Sequence, residues 1–261
     1  MKFEAVTSMN ESYFQNIGFK MLDSYLINWP DTVKLNLYHE DNYSYITNKK
    51  VELKNLYECE PTCKEFVERH QDRPDQQNKL ELHKGAVRFS YKTFSIINAA
   101  TTSTADYLIW IDADTFTHSQ ITEEFLNELV DPNKYLTYLG RENNYSECGF
   151  VIYNLNHPVN QVFMSAWRHL YEQDEVFKLD QWHDSYVFDQ IRLTYEQEGI
   201  IENINLSPWG KDYDHVFINS VLGDYMDHMK GPRKDEGKSR ESDLFTKRKS
   251  DYWYPQSRFN S

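Results

Sequence analysis

Apolar and polar positions alternate over Lys2–Thr7, which predicts a short strand, and a turn rich in Ser, Asn and Glu follows. From Tyr13 to Asn28 the apolar residues Phe14, Ile17, Met21, Leu22 and Tyr25 recur near helical spacing. Trp29-Pro30-Asp31 ends that helix, because proline cannot continue it and drives the residue before it into extended backbone. Val33–His39 alternates again as a second strand. This strand–helix–strand rhythm predicts a parallel sheet with crossover helices. Asn48–Lys84 is polar and irregular, and reads as an insertion or active-site loop with a short helix around Lys64–His70. A long helix is expected over Ala86–Thr101. After it, Asp106 leads into Tyr107-Leu108-Ile109-Trp110-Ile111, a continuous apolar run that suits a central strand covered on both faces. Helices at Ile121–Leu129, Val159–Glu172 and Tyr186–Gln197 and strands at Lys134–Leu139 and Gly149–Asn154 complete the pattern. No internal repeat and no second globular domain stand out.

At 261 residues the chain can bury a sizeable core without disulfides. Three cysteines cannot all pair, which points to a reducing compartment. The N-terminus carries no apolar leader, and no run reaches the ~18 apolar residues of a spanning helix. A soluble, cytoplasmic protein is therefore expected. Net charge is −13, unevenly spread: Lys230–Ser261 holds nine Lys/Arg against five Asp/Glu, leaving 19 basic and 36 acidic residues elsewhere. Such an acidic body argues against binding a nucleic-acid backbone. The basic tail offers contacts to phosphates, to a partner or, peripherally, to an anionic membrane.

The strongest chemical feature is Asp112-Ala113-Asp114 directly after the apolar strand. Two carboxylates two residues apart, at the carboxyl end of a buried strand, sit on the ligand side of an open α/β sheet. Hard divalent cations such as Mn²⁺ or Mg²⁺ want such oxygen ligands and leave positions open for diphosphate oxygens. The second feature is His228-Met229-Lys230-Gly231-Pro232-Arg233-Lys234. Its imidazole suits Mn²⁺ as a third ligand, Gly231 allows backbone to approach a phosphate, and Arg233 and Lys234 supply countercharge.

Asp112-x-Asp114 after a strand, together with His228-x-x-Gly231-x-x-Lys234 near the C-terminus, resembles glycosyltransferase family 8. The resemblance implies an α/β GT-A fold: a Rossmann-like, mostly parallel central sheet flanked by helices. Residues 1–235 would form that single domain and residues 236–261 an extended basic tail. It further implies a UDP-sugar donor, Mn²⁺ and transfer with retention of anomeric configuration. By the same resemblance Asp112, Asp114 and His228 hold the metal, while Gly231 and Lys234, with Arg233 assisting, hold the diphosphate. Thr7, Ser8 and Tyr13 are expected at the donor, Tyr13 stacking on the base, with Asn10 where the family has an aspartate. Arg88 and Lys92, on the helix before the metal strand, resemble a family arginine near the donor. Asp184 is the candidate carboxylate for an oxocarbenium-like transition state, with Asp189 and Gln190 behind it. Arg141 and Glu142 are candidates for the sugar hydroxyls. Glu147-Cys148-Gly149 occupies the place of a family Asn-x-Gly, and Cys148 reads as a small buried residue.

Other readings share parts of this pattern. A haloacid-dehalogenase-type phosphatase needs Thr or Val where this chain has Phe116, and a nucleotidyltransferase needs a Gly-rich basic loop that Thr7–Tyr13 lacks. A non-catalytic carbohydrate or nucleotide-sugar binding module and a DNA-base-modifying transferase remain as alternatives. The acceptor, whether glycan, protein or small molecule, leaves no signature in residue chemistry.

Overall fold

The computed structural model describes residues 1–41, 46, 48–77 and 81–254. Residues 78–80 of the expected 48–84 loop and residues 255–261 of the expected tail lie outside that set.

Nine strands are present among the described residues: β1 Phe3–Ser8, β2 Lys34–His39, β3 Val51–Asn55, β4 Tyr107–Ile111, β5 Thr115–Thr117, β6 Leu136–Arg141, β7 Asn144–Asn154, β8 Ile204–Asn205 and β9 Met226–His228. Seven of them form one sheet in the order β3-β2-β1-β4-β7-β6-β8, and β5 and β9 pair as a separate ribbon. β7 runs antiparallel to both neighbours while the other pairings in the large sheet are parallel. The result is the expected α/β architecture, a mostly parallel sheet with helices on its faces.

The continuous apolar run of β4 is explained by its two covered faces. Leu108 and Trp110 pack with Phe94, Ile97, Phe163, Trp167 and Phe188, on the side of the helices Ala86–Thr102, Asn160–Glu172 and Asp184–Gln197. Tyr107, Ile109 and Ile111 pack on the other face with Leu22, Tyr25, Phe125, Phe217 and Leu222. A strand buried on both sides has no position for a polar side chain, so alternation disappears. The helix over Phe19–Asn28 ends where predicted, with Trp29 extended at φ −96°, ψ 153° before Pro30.

The reading of 48–84 as irregular needs correction. It contains the parallel strand β3 and the helices Leu56–Cys59, Pro61–His70 and Pro74–Gln77. β3 is at the sheet edge and only partly buried, and its Val51-Glu52-Leu53-Lys54 alternation is too short to stand out from the polar stretch around it. Asn55 then starts a helix by accepting the Tyr57 and Glu58 amides.

The C-terminal stretch lies against the body as far as Tyr254. Trp253 is 1% exposed in the second core, with its indole N–H donating to the Gly223 carbonyl at 2.7 Å. Buried Asp227 accepts from the Tyr252 hydroxyl and the Ser239 amide. No helix among the described residues is long and apolar enough to cross a membrane.

Candidate active site

β4 delivers the chain to Asp112, whose amide donates to the Gly149 carbonyl at 2.9 Å. A tight turn follows, in which the Thr115 amide and hydroxyl both donate to the Asp112 carbonyl. The turn aims the next residues into β5, and β5 pairs antiparallel with β9 so that Thr115 faces His228. The Met229 amide closes the arrangement on the Asp114 carbonyl at 3.0 Å. Two three-residue strands thus bring together groups 114 residues apart in sequence.

His228 Nε2 lies 3.0 Å from Asp114 Oδ1 and 3.6 Å from Asp112 Oδ2. Ligand atoms of these three residues all fall within 4.8 Å of one another. Lys234 reaches Asp114 Oδ2 at 2.7 Å and also donates to the Tyr13 hydroxyl at 2.9 Å. On the opposite side Lys92 bridges Asp112 Oδ1 and Asp184 Oδ2, each at 2.7 Å, and donates to the Cys148 carbonyl. Asp112 Oδ1 also accepts from the Trp110 indole at 2.6 Å.

Burial and charge pull against each other here. Burial favours neutral Asp114, but His228 and Lys234 together outweigh it and hold the carboxyl far below its usual range. The partner shift belongs to the same pair: burial disfavours charged His228, yet Asp114 and Glu147 raise it to about 9. Burial likewise favours neutral Asp184, and Lys92 reverses that and keeps it ionised. Tyr13 is pushed up to about 12 by burial and by Asp114. Glu40 is raised to about 7, chiefly by burial.

These groups line a cleft of about 760 Å³. Of the residues expected from sequence, Ser8, Tyr13, Arg88, Lys92, Asp112, Asp114, Asp184, His228, Gly231 and Lys234 line it. Gly231 has φ +56°, a conformation in which L side chains are strained. Others stand outside. Thr7 is fully buried in β1 behind Ser8. Arg233 is tied to Asp243 by two 2.7 Å bonds. Asp189 is buried, accepting from Arg192, the Ser146 amide and the Ser146 hydroxyl. Gln190, the next residue of the same helix, is also absent from the lining. Asn10, by contrast, lines the cleft, and it also caps the helix that follows it, accepting the Tyr13 amide. Asp184 opens its helix but does not cap it, since the side-chain cap is His183. Arg141 turns toward Glu147 at 2.6 Å, and Glu142 faces Lys211 at 4.0 Å.

Two further carboxyls line the cleft: Glu40, which the sequence does not single out, and Glu147, which it marks only as standing in the place of a family Asn-x-Gly. Glu147 is 1% exposed and meets His228, Arg141 and Lys230. Its strand reads as apolar with a single charge, a signal that a buried partner must exist without saying which.

The donor set fits a divalent cation. Two carboxylates and one imidazole converge in an open cleft, a donor set of oxygen and imidazole nitrogen rather than a closed thiolate site.

No protein-family model and no curated protein sequence matches the chain. Among solved structures it resembles glycosyltransferases. Apo GlyE of Streptococcus pneumoniae TIGR4 is 13% identical at TM-score 0.43, over 78% of this chain and 45% of that one. Mouse xyloside xylosyltransferase 1 is 13% identical at TM-score 0.46, over 79% and 85%. A glycosyltransferase involved in glycosylation of the major capsid of PBCV-1 is 12% identical at TM-score 0.45, over 91% and 98%. The match therefore spans less than half of the GlyE chain but nearly all of the PBCV-1 one.

Proposed function

We propose that this chain is a metal-dependent glycosyltransferase that takes a sugar from a nucleotide diphosphate donor, a UDP-sugar by the motif resemblance, and passes it to a glycan, protein or small-molecule acceptor with retention. The observation that carries the reading is the meeting of Asp112, Asp114 and His228 in one cleft with Lys234, Arg88 and Asp184.

The charge count of the cleft supports metal dependence. Its carboxyls are Glu40, Asp112, Asp114, Glu147 and Asp184, and its fixed cations are Arg88, Lys92, Lys230 and Lys234. Protein charges alone are close to balance, so a diphosphate has no net attraction to offset its loss of water. A divalent cation held by Asp112, Asp114 and His228 would supply the missing positive charge and act as Lewis acid for the leaving diphosphate. Lys234, freed from Asp114, is placed to neutralise phosphate oxygens, with the Gly231 backbone beside it. Lys92 keeps Asp184 ionised in the cleft, where a carboxylate stabilises positive charge developing on the sugar ring. The exposed rim of Tyr13 offers its ring to the base.

The test is nucleotide diphosphate release from a panel of UDP- and GDP-sugars, with Mn²⁺ or with chelator. Metal-dependent release from one donor, lost in Asp114→Asn and His228→Ala, is expected. Metal-independent release, or neither binding nor release with any donor, overturns the reading. Binding without turnover in the presence of acceptor candidates moves it to a binding module.

A further inference from the structure

His228 has two ring nitrogens, and a metal takes only one. Nε2 faces Asp114 and Asp112. Nδ1 points the other way, toward Glu147 Oε1 at 3.3 Å, an ion-pair distance. It is fully buried and has no hydrogen-bond partner among the described residues. The space for this meeting is made by Gly149, two residues along β7 and on the same side of the strand. A Cβ at position 149 would lie 2.4 Å from His228 Cε1 and 2.5 Å from Nδ1.

Glu147 is itself fixed. One oxygen accepts from Arg141 at 2.6 Å and from Lys230, and the other accepts the Gly149 amide at 3.2 Å. Arg141 is in turn held by the carbonyls of Asp214 and Tyr145. Burying an ion with two countercharges is costly, and an apolar residue would fill the strand position at lower cost. The feature that an apolar residue could not reproduce is an acceptor behind the imidazole.

We propose that Glu147 is the positioning residue of the metal centre. It accepts the Nδ1 proton of His228 and so presents the Nε2 lone pair to a divalent cation between Asp112 and Asp114, while Gly149 supplies the clearance. Such outer carboxylates fix tautomer and ring orientation, and their loss costs about 10–100-fold in metal affinity. The proposal rests on the reading that Asp112, Asp114 and His228 hold a cation.

The test uses the full chain and Mn²⁺ alone, with free Mn²⁺ counted by electron paramagnetic resonance. Glu147→Gln keeps the shape and removes the charge, and Gly149→Ala keeps Glu147 and crowds the ring. Each is expected to weaken Mn²⁺ binding at least tenfold with an unchanged far-ultraviolet circular dichroism spectrum. In ¹⁵N-histidine spectra of the Mg²⁺-loaded protein, His228, assigned by its loss in His228→Ala, should hold one Nδ1–H tautomer that becomes mixed in Glu147→Gln. If both variants fold and bind Mn²⁺ within twofold of the parent, while His228→Ala has lost binding, the role of Glu147 is overturned and the metal site stands. If His228→Ala and Asp114→Asn bind Mn²⁺ like the parent, both fall.

Discussion

Replacing Lys92 with methionine isolates the electrostatics that hold the cleft together. The methionine keeps most of the stem against Trp110, whose ring centroid lies 5.0 Å from the Lys92 ammonium. It removes three 2.7 Å contacts, to Asp112, Asp184 and the Cys148 carbonyl. The Lys92 side chain is 11% exposed and that of Asp184 15%, so solvent replaces little of what is lost. Breaking a buried ion pair from one side costs about 3–5 kcal/mol. For a chain of this size that corresponds to roughly 6–20 °C in Tm. The pH dependence adds a sign. Lys92 depresses the folded-state pKa of Asp184, so the stability it contributes is present above the unfolded carboxylate value near ~4 and is lost as pH falls through the folded value. In Lys92→Met burial instead favours protonated Asp184. The stability gap between parent and variant should therefore be widest at neutral pH and close toward pH 3. Urea unfolding at both pH values measures it. A gap under about 1 kcal/mol at neutral pH, or one that does not change with pH, would falsify this account of Lys92.

Three further outcomes follow from the same geometry. His228 sits near a pKa of about 9, so a cation taking Nε2 at neutral pH must displace a proton. Calorimetry of Mn²⁺ binding in two buffers of different ionisation enthalpy should show close to one proton released, and none released would mean that the His228 imidazole is already neutral before the cation binds. Without metal the sign for stability is the reverse of the carboxylate case: the raised His228 value contributes below the unfolded pKa near ~6.5 and is lost as pH rises through about 9. Trp253→Ala should cost about 3–5 kcal/mol in chemical denaturation, because a fully buried indole and its bond to Gly223 are removed; a loss under ~1 kcal/mol would mean that the C-terminal stretch does not pack on the body. Gly231→Ala should lower donor affinity more than stability, since nothing lies within 4 Å of the added Cβ while the φ of +56° is strained for alanine by about 1 kcal/mol; equal donor affinity would take Gly231 out of the diphosphate site.

The sequence by itself determined the features whose signal is local. Periodicity marked β1, β2 and the helices Ala86–Thr102 and Asn160–Glu172 to within a few residues, because each buries a regular face. The apolar run of β4 announced a central strand, and with it the position of Asp112 and Asp114 at the sheet's carboxyl edge. Short or edge elements were illegible: β5 and β9 have three residues each, too few to show a period, and the brief alternation of β3 is lost in the polar stretch around it. Residue chemistry also left roles open that only neighbours settle. Asp189 is of a type that suits a site, yet it balances Arg192, whereas Asn10 both caps a helix and lines the cleft. Conversely, Glu147 and Gly149 stand in the place of a family Asn-x-Gly, but nothing in that match pairs them with His228, 79 or more positions away. Tertiary structure alone decided that meeting. Which charge faces which across so long a stretch of chain depends on strand order and on the β5–β9 pairing, and neither leaves a pattern within any short window of sequence.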